Sequence, residues 1–527
     1  MNPSTTTWQP IIHRAAFLPE RLTGWQNAAQ SPRRGSSAWL TRWRDLLGGE
    51  AQLAERLGWL GLDVVQAEAL LQEGQLTAWL APAQQPPWAA VLTEALTQSA
   101  PLVADELEII APFLAIAEPL AQPHLAGLAP AAQQSVRDYL AGRLRDWVTP
   151  TVQQVGMYPL PALCLRYPVL GRQLAVTVLQ WMAEVAAFNQ RVTADWSALT
   201  EIPFTEEAIT AVQPNLSDPH NGGRTVWRVT LADGQTLAYK PKNIDLDHAW
   251  QQLLRWLNEQ GLTPALTPLW TLPRPDYGWM AWVEAEPSPP TDPHYGRRTG
   301  LLLGLFHLLH ATDLHDENLI HGRGHPHLVD GEMLLYPQVA GQFDSLDLLR
   351  TGALSTWFVT RRGVADLSGL GGMVPLAQLP DVAAGYAQLM AFAATHEAEL
   401  WADEGPLAQF QRGRVRFTAR PTMAYDRLLT HLRQPAFLVS GAAFSVELDS
   451  LARAYLSTPE QKRFHSLLMA EQAAVAQGDV PFFAAHSGQP DLSHSHGTLP
   501  NFLVWPPIQL PTPIAQQQQQ AYIRESL

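Results

Sequence analysis

The stretch "TDLHDENLIHGRGHPHLVDGEMLL", from Thr312 to Leu335, gathers carboxylates, an asparagine and four histidines into one short segment, with two more histidines just before it. Three chemistries fit such a composition: a histidine metal cage, a solvated turn, or the catalytic loop of a phosphoryl-transfer enzyme. His321 and His325 have i, i+4 spacing, but Gly322, Gly324 and Pro326 break any helix that would put them on one face. The chain also has no HExxH, so zinc catalysis is not expected. Asp and Asn following a helix are common turn formers. Phosphoryl transfer needs a lysine on the phosphates, a carboxylate for the attacking hydroxyl, and an Asn and an Asp to carry magnesium. In protein kinases the catalytic Asp and metal-binding Asn are separated by four residues. Asp313 and Asn318 have that spacing, and Asp330 follows where a kinase places the Asp of its Asp-Phe-Gly element. His315 stands two residues after Asp313, as in lipid-kinase-like folds, and Lys240 takes the part of the strand lysine.

These groups need elements to hold them. "GRTVWRVTLADGQTLAYKPK" alternates, with Trp227, Val229 and Leu231 on one side and Arg228 and Thr230 on the other. "ADGQ" supplies a turn and "TLAYK" the return strand, so a β-hairpin ending in Lys240 is expected. "YGWMAWVEAE" reads as a further strand, and Pro287 to Gly296 as a Pro-rich connector. "GLLLGLFHLLHAT", Gly300 to Thr312, is apolar on nearly all sides and predicts a buried helix leading into the Asp313 loop. The first ~200 residues carry helical spacing, as at Leu174, Val178, Trp181, Met182 and Val185. Helical patterns also dominate beyond the loop. The five glutamines at 516–520 are expected on the polar face of a last helix.

Composition sets outer bounds. The chain has 527 residues, 46% hydrophobic and 16% charged, which suits a folded protein of two to four domains. A net charge of −14 gives no general attraction to nucleic acid or anionic membrane. Cys164 is the one cysteine, so neither an internal disulfide nor a cysteine-based zinc site can form. "MNPSTTTWQP" lacks a basic start followed by an apolar core, and no apolar run reaches membrane-spanning length. A cytoplasmic protein without a membrane span is expected.

The segments "LSDPHNGGRTVWRVTLADGQTLAYKPK", "YGWMAWVE", "DLHDENLIHGRGHPHLVDGE", "DLSGLGG", "RVRFTARPTMAY" and "GDVPFFAAHSGQPDL" occur in an order that resembles the N-terminal dehydratase domain of class II (LanM-type) lanthipeptide synthetases. The resemblance runs from "RAAFLPERL" to the final "AYIRESL". It implies an α+β, mostly helical fold with a lipid-kinase-like bilobal core embedded in additional helices. The implied division is 1–202 as a helical region, 203–290 as an N-lobe with the hairpin and lysine, and 291–527 as a helical C-lobe. It also implies two steps: ATP phosphorylates Ser or Thr of a ribosomally made precursor peptide carrying a leader, and phosphate is then eliminated to leave dehydroalanine or dehydrobutyrine. By this resemblance Asp313 and His315 serve phosphorylation, Asn318 and Asp330 hold Mg2+, and Lys240 contacts phosphate. Glu332 matches an acidic position of the family. Asp218, His220, Arg416 and Thr422 match positions of the elimination step.

The chain also departs from the pattern. Where the family has Asp-Leu-Glu-Thr, this sequence has "DGEM", with Gly331 and Met333. "FLVSGAAFSVEL" lacks an arginine often found there. No cyclase zinc site is expected with Cys164 alone, so cyclisation would fall to a separate enzyme or the peptide would stay dehydrated. Two other readings stand beside this one: a kinase for a peptide or small molecule that does not eliminate, and a non-catalytic peptide-binding partner. Retention of Asp218, His220, Arg416 and Thr422 weighs against the first, and of Lys240, Asp313, Asn318 and Asp330 against the second.

Overall fold

The computed structural model describes residues 8–28, 38–72, 85–201, 204–205, 207–286, 291–340, 353, 357–360, 363–366, 368–370, 373–462 and 464–526. The expected boundary at 202–203, the first residues of the connector (287–290) and part of the segment 366–372 lie outside them. The fold is α+β and mostly helical, with small antiparallel sheets. Contacts divide the chain into two compact units, Met1–Gln235 with Ala419–Pro481, and Thr236–Thr418 with Phe482–Leu527. Each unit is assembled from two separated stretches of the chain.

The first unit is built around the 32-residue helix Pro168–Leu199. Proline at its start has no N–H to leave unbonded and a φ already suited to a helix. Leu174, Val178, Trp181, Val185, Phe188 and Val192 are buried along it. The helical spacing read at Leu174, Val178, Trp181 and Val185 continues through Phe188 and Val192, while Met182 is only half-buried, and it places this face against the helices Pro87–Gln98, Glu106–Ala121 and Pro130–Val155. Trp181 Nε1 donates to the Val136 carbonyl at 3.0 Å, so even this core indole keeps its polar partner. Strands β1 (Ile209–Gln213) and β2 (Trp227–Leu231) pair antiparallel in this unit. Burial along β2 alternates as its sequence predicts.

In the second unit, β3 (Thr236–Lys240), β4 (Thr271–Pro273) and β5 (Gly278–Ala281) form antiparallel pairs with β5 central. The turn after β2 carries Gly234 at φ +87°, so strand, turn and strand follow one another as expected. The apolar run after the connector forms the helix Tyr295–Leu308, which begins earlier and ends sooner than the sequence suggested. It lies close against the helix Leu379–Thr395: a Cβ at Gly300 would stand 2.0 Å from the Val382 carbonyl oxygen, and one at Gly385 would stand 2.2 Å from that of Arg297. Small residues at this crossing let two backbones approach where any side chain would clash. Trp250 stacks on Phe306, with centroids 5.3 Å apart, beneath this pair.

Beyond the helix the structure departs from the helical expectation. Short strands appear at β6 (Leu319–Gly322) and β7 (His325–Leu328), and Arg414–Phe417 pairs with Phe483–His486. The last helix, Pro513–Ser526, forms, but Gln519 on it is buried rather than on a polar face. Among the described residues no helix is long and apolar enough to cross a membrane.

Candidate active site

The helix Tyr295–Leu308 ends in a turn in which His310 (φ +46°) and Asp313 (φ +62°) take left-handed backbone conformations. Such a conformation is uncommon outside glycine, though Asp tolerates it better than most residues. Asn318 secures it: its Nδ2 donates to the Asp313 carbonyl at 2.7 Å. The five-residue step thus closes a small ring, with the side chain of Asn318 folded back on Asp313. His315 Nε2 lies 3.0 Å from Asp313 Oδ1, while the Asn318 amide lies 3.4 Å from Asp313 Oδ2. The bond to Asp313, with its negative charge, raises the His315 pKa above the ordinary value against the opposing effect of burial.

The two-stranded ladder of β6 and β7 explains the distance in sequence to Asp330. Val329 N donates to the Asn318 carbonyl at 2.9 Å, so the hairpin returns the chain beside Asn318 and delivers Asp330 there. The tight turn at its tip uses Arg323 and Gly324, both at positive φ. This hairpin also disperses the histidines. His307 Nδ1 pairs with the Tyr386 hydroxyl at 2.6 Å, His310 Nε2 with the Pro507 carbonyl at 3.2 Å, and His325 Nδ1 with Thr267 Oγ1 at 2.9 Å. His327 Nε2 meets the Gly322 carbonyl at 3.1 Å, and His321 lies 3.2 Å from Glu286.

Lys240 ends β3 with its ammonium buried. It donates to the Val329 carbonyl and lies 3.3 Å from Asp247 Oδ1 and 3.8 Å from Asp330 Oδ1. Asp247 belongs to the helix Asp245–Glu259, which directly follows the strand. Burial, together with the charge of Asp330, raises the Asp247 pKa despite the lysines nearby. Asp247 Oδ1 also accepts the Gly331 N–H at 3.0 Å. The "DGEM" backbone is therefore bonded from two sides, since Arg416 N donates to the Glu332 carbonyl at 2.8 Å.

Lys242, which the sequence reading passed over, is the second lysine of the site. It donates to Asp330 Oδ2 at 2.7 Å and to Glu332 Oε2 at 2.5 Å. The signal for it was its place in "TLAYKPK", two residues past Lys240 and just beyond the end of β3. Burial pulls its pKa down, but the two carboxylates outweigh burial and hold it above the ordinary lysine value. Glu332 in turn accepts from Arg416 Nη1 at 2.6 Å. Burial pushes the Glu332 carboxyl up, yet Lys242 and Arg416 bring it down to about 2. Asp330, Lys242, Glu332 and Arg416 therefore form one continuous chain of charges. Asp330 Oδ1 is buried and, among the described residues, makes no hydrogen bond, with the Lys240 ammonium 3.8 Å away, so it keeps a lone pair suited to a hard cation.

Three arginines compete for one role in "RVRFTARPTMAY", and the structure separates them. Arg414 is exposed. Arg420, in the first unit, is spent on buried Glu471 at 2.7 Å, which also takes hydroxyls of Tyr425 and Tyr455. Arg416, two residues further along the strand Arg414–Phe417, is buried and reaches Glu332, with Phe482 at 5.3 Å beneath its guanidinium.

Asp218, His220 and Thr422 belong to the first unit. Asp218 is exposed in the loop between β1 and β2, and His220 is half-buried there. His220 N and O both bond Arg224, which closes a tight loop through Asn221, Gly222 and Gly223, all at positive φ. Thr422 is the first residue of the helix Thr422–Leu432, where backbone N–H groups lack helical partners.

Comparison with known proteins follows the same lines. Over 179 residues the chain is 25% identical to the lacticin 481/lactococcin biosynthesis protein LcnDR2 of Lactococcus lactis subsp. lactis. That match covers 32% of this chain and 19% of the relative, so the likeness concerns a limited part of that longer protein. Residues 167–382 and 373–486 match the family model described as a domain of unknown function, DUF4135. All the site residues above lie inside these stretches, which together span more than half of the chain, and the protein belongs to the DUF4135 family.

Proposed function

We propose that this protein dehydrates Ser and Thr in a ribosomally made precursor peptide, phosphorylating the hydroxyl with ATP and then eliminating phosphate. The observation that carries this reading is the unbroken chain of charges from Asp330 through Lys242 and Glu332 to Arg416. It ties the carboxylate of a kinase-like loop to the arginine suited to a departing phosphate. Similarity to a lacticin 481/lactococcin biosynthesis protein supports a role in lanthipeptide maturation.

For phosphorylation, Asp313 Oδ2 is the oxygen with capacity to accept the hydroxyl proton, because His315 engages Oδ1. The strained turn, fixed by Asn318, aims that oxygen. Asp330 and Asn318 would hold magnesium, which when bound neutralises charge on the transferring phosphoryl group. Lys240 is poised by Asp247, an arrangement like the strand-lysine and helix-carboxylate pair of protein kinases. This likeness is the basis for reading a lipid-kinase-like core here.

In the second step a base removes the Cα proton of the phosphorylated residue. The Cα–H electron pair becomes the Cα=Cβ bond, and the Cβ–O bond breaks with its pair leaving on phosphate. Arg416 can neutralise that charge through a fork of N–H groups. Asp218, His220 and Thr422 take their elimination roles from the resemblance in motif order. The test is Arg416→Ala, with ATP, magnesium and a neighbouring precursor peptide, meaning a candidate substrate encoded beside this protein's gene. Phosphopeptide should accumulate, with elimination slowed roughly 10²–10³-fold. Dehydration at the wild-type rate would remove Arg416 from the mechanism.

A further inference from the structure

"GDVPFFAAHSGQPDL" is among the sequence motifs above, but no chemistry has been assigned to its first residues. In the first unit, Asp479 and Val480 of this motif make four hydrogen bonds to the "PHNGG" loop. Asp479 Oδ2 accepts Gly222 N at 2.6 Å and Oδ1 accepts Gly223 N at 2.9 Å. Val480 N donates to the Pro219 carbonyl at 2.9 Å, and the Val480 carbonyl lies 2.7 Å from His220 Nδ1. A carbonyl oxygen only accepts, so Nδ1 must carry the hydrogen of the neutral ring. The lone pair is then on Nε2.

The His220–Arg224 backbone pair closes the loop, and Asp479 takes the two N–H groups at its apex. Asn221, Gly222 and Gly223 sit at φ +49°, +91° and +78°, a run of left-handed residues that strongly favours glycine. Their two successive N–H groups point to one side, and a single carboxylate takes both. Gly223 has a steric reason as well: a Cβ there would stand 2.6 Å from Arg143 Nη2 and 2.8 Å from Gln180 Oε1. Thr225, just beyond, is bonded by Glu184 at 2.8 Å to its N–H. The loop is therefore held from both of its ends, and Asp479 supplies the two bonds at its apex.

We infer that Asp479, with the Val480 backbone, is a positioning element of the elimination step, fixing His220 in the tautomer whose Nε2 can take the Cα proton. Asp479 does not touch the peptide in this account; it acts through the loop. The inference rests on the dehydratase reading and deepens it. Losing one charge-assisted bond to a buried backbone N–H corresponds to about a tenfold to hundredfold effect.

The test compares full-length wild type with Asp479→Asn, which keeps the shape but only one acceptor oxygen, and with Gly223→Ala, which displaces the loop from its other face. Each is given the neighbouring precursor peptide with ATP and magnesium, and separately a synthetic phosphoserine form of that peptide. Phosphorylation should stay within about twofold of wild type while elimination from the phosphopeptide falls at least about tenfold. Equal elimination, or an equal fall in both steps, would overturn the positioning role. Amide hydrogen exchange at Gly222 and Gly223 is read on the same proteins. If both amides exchange in Asp479→Asn as in wild type, the clamp itself is wrong. If wild type modifies neither peptide, the dehydratase reading fails, and the exchange result still judges the clamp.

Discussion

Substituting Glu332 by Gln tests the charge chain at its middle. Glu332 is 7% exposed and is held by two cations, Lys242 at 2.5 Å and Arg416 at 2.6 Å. Its carboxyl is lowered from 4.5 to about 2. At 1.36 kcal/mol per unit, that gap corresponds to about 3 kcal/mol of stabilisation at neutral pH. Breaking a buried pair by neutralising one partner falls in the same range, about 3–5 kcal/mol. The sign follows from the direction of the shift. A lowered carboxylate contributes fully above its unfolded value near 4.5 and loses that contribution as pH falls toward about 2. Urea unfolding of wild type and Glu332→Gln at pH 7, 5 and 3.5 should show a constant deficit of about 3 kcal/mol at the first two and a smaller one at the last. A deficit under about 1 kcal/mol at pH 7, or one that grows on acidification, would refute the argument that the two cations stabilise ionised Glu332.

Asp313→Asn removes the proton acceptor while keeping its size, and should slow ATP-dependent phosphorylation by roughly 10²–10⁴-fold, measured as phosphate transferred to peptide. A smaller effect than tenfold would reassign the base. Glu184→Gln gives an opposite pH dependence to Glu332→Gln. Burial raises the Glu184 carboxyl to about 7, although Arg143 and bonds from Thr225 and Trp227 pull the other way. A raised acid stabilises fully below about 4.5 and loses that contribution as pH climbs to about 7. The melting temperature of Glu184→Gln relative to wild type should therefore rise between pH 5 and pH 8, and a difference that stays flat would contradict the shift.

What the sequence made legible was local. Alternation at Trp227, Val229 and Leu231 and the apolar period of the helix Pro168–Leu199 both reappear as burial, because each is a property of one segment. The step from Asp313 to Asn318 is local in the same way, since it closes on itself through one side chain. What stayed hidden depended on remote partners. Arg414–Phe417 becomes a strand by pairing with Phe483–His486, far along the chain, and neither segment is long enough to show a period. Asp247 matters because Lys240 and Gly331 both meet it, and Asp479 because glycine N–H groups of another segment do. Gln519 is buried in a run of identical residues, so composition could not single it out. The β6–β7 hairpin likewise sends neighbouring histidines to different partners, which their spacing alone does not express.

The most direct test of the central claim follows the mass of the neighbouring precursor peptide over time, with wild-type protein, ATP and magnesium. The expected result is a transient gain of phosphate followed by loss of one water for each modified Ser or Thr. Phosphopeptide that persists indefinitely, or a peptide of unchanged mass, would contradict it.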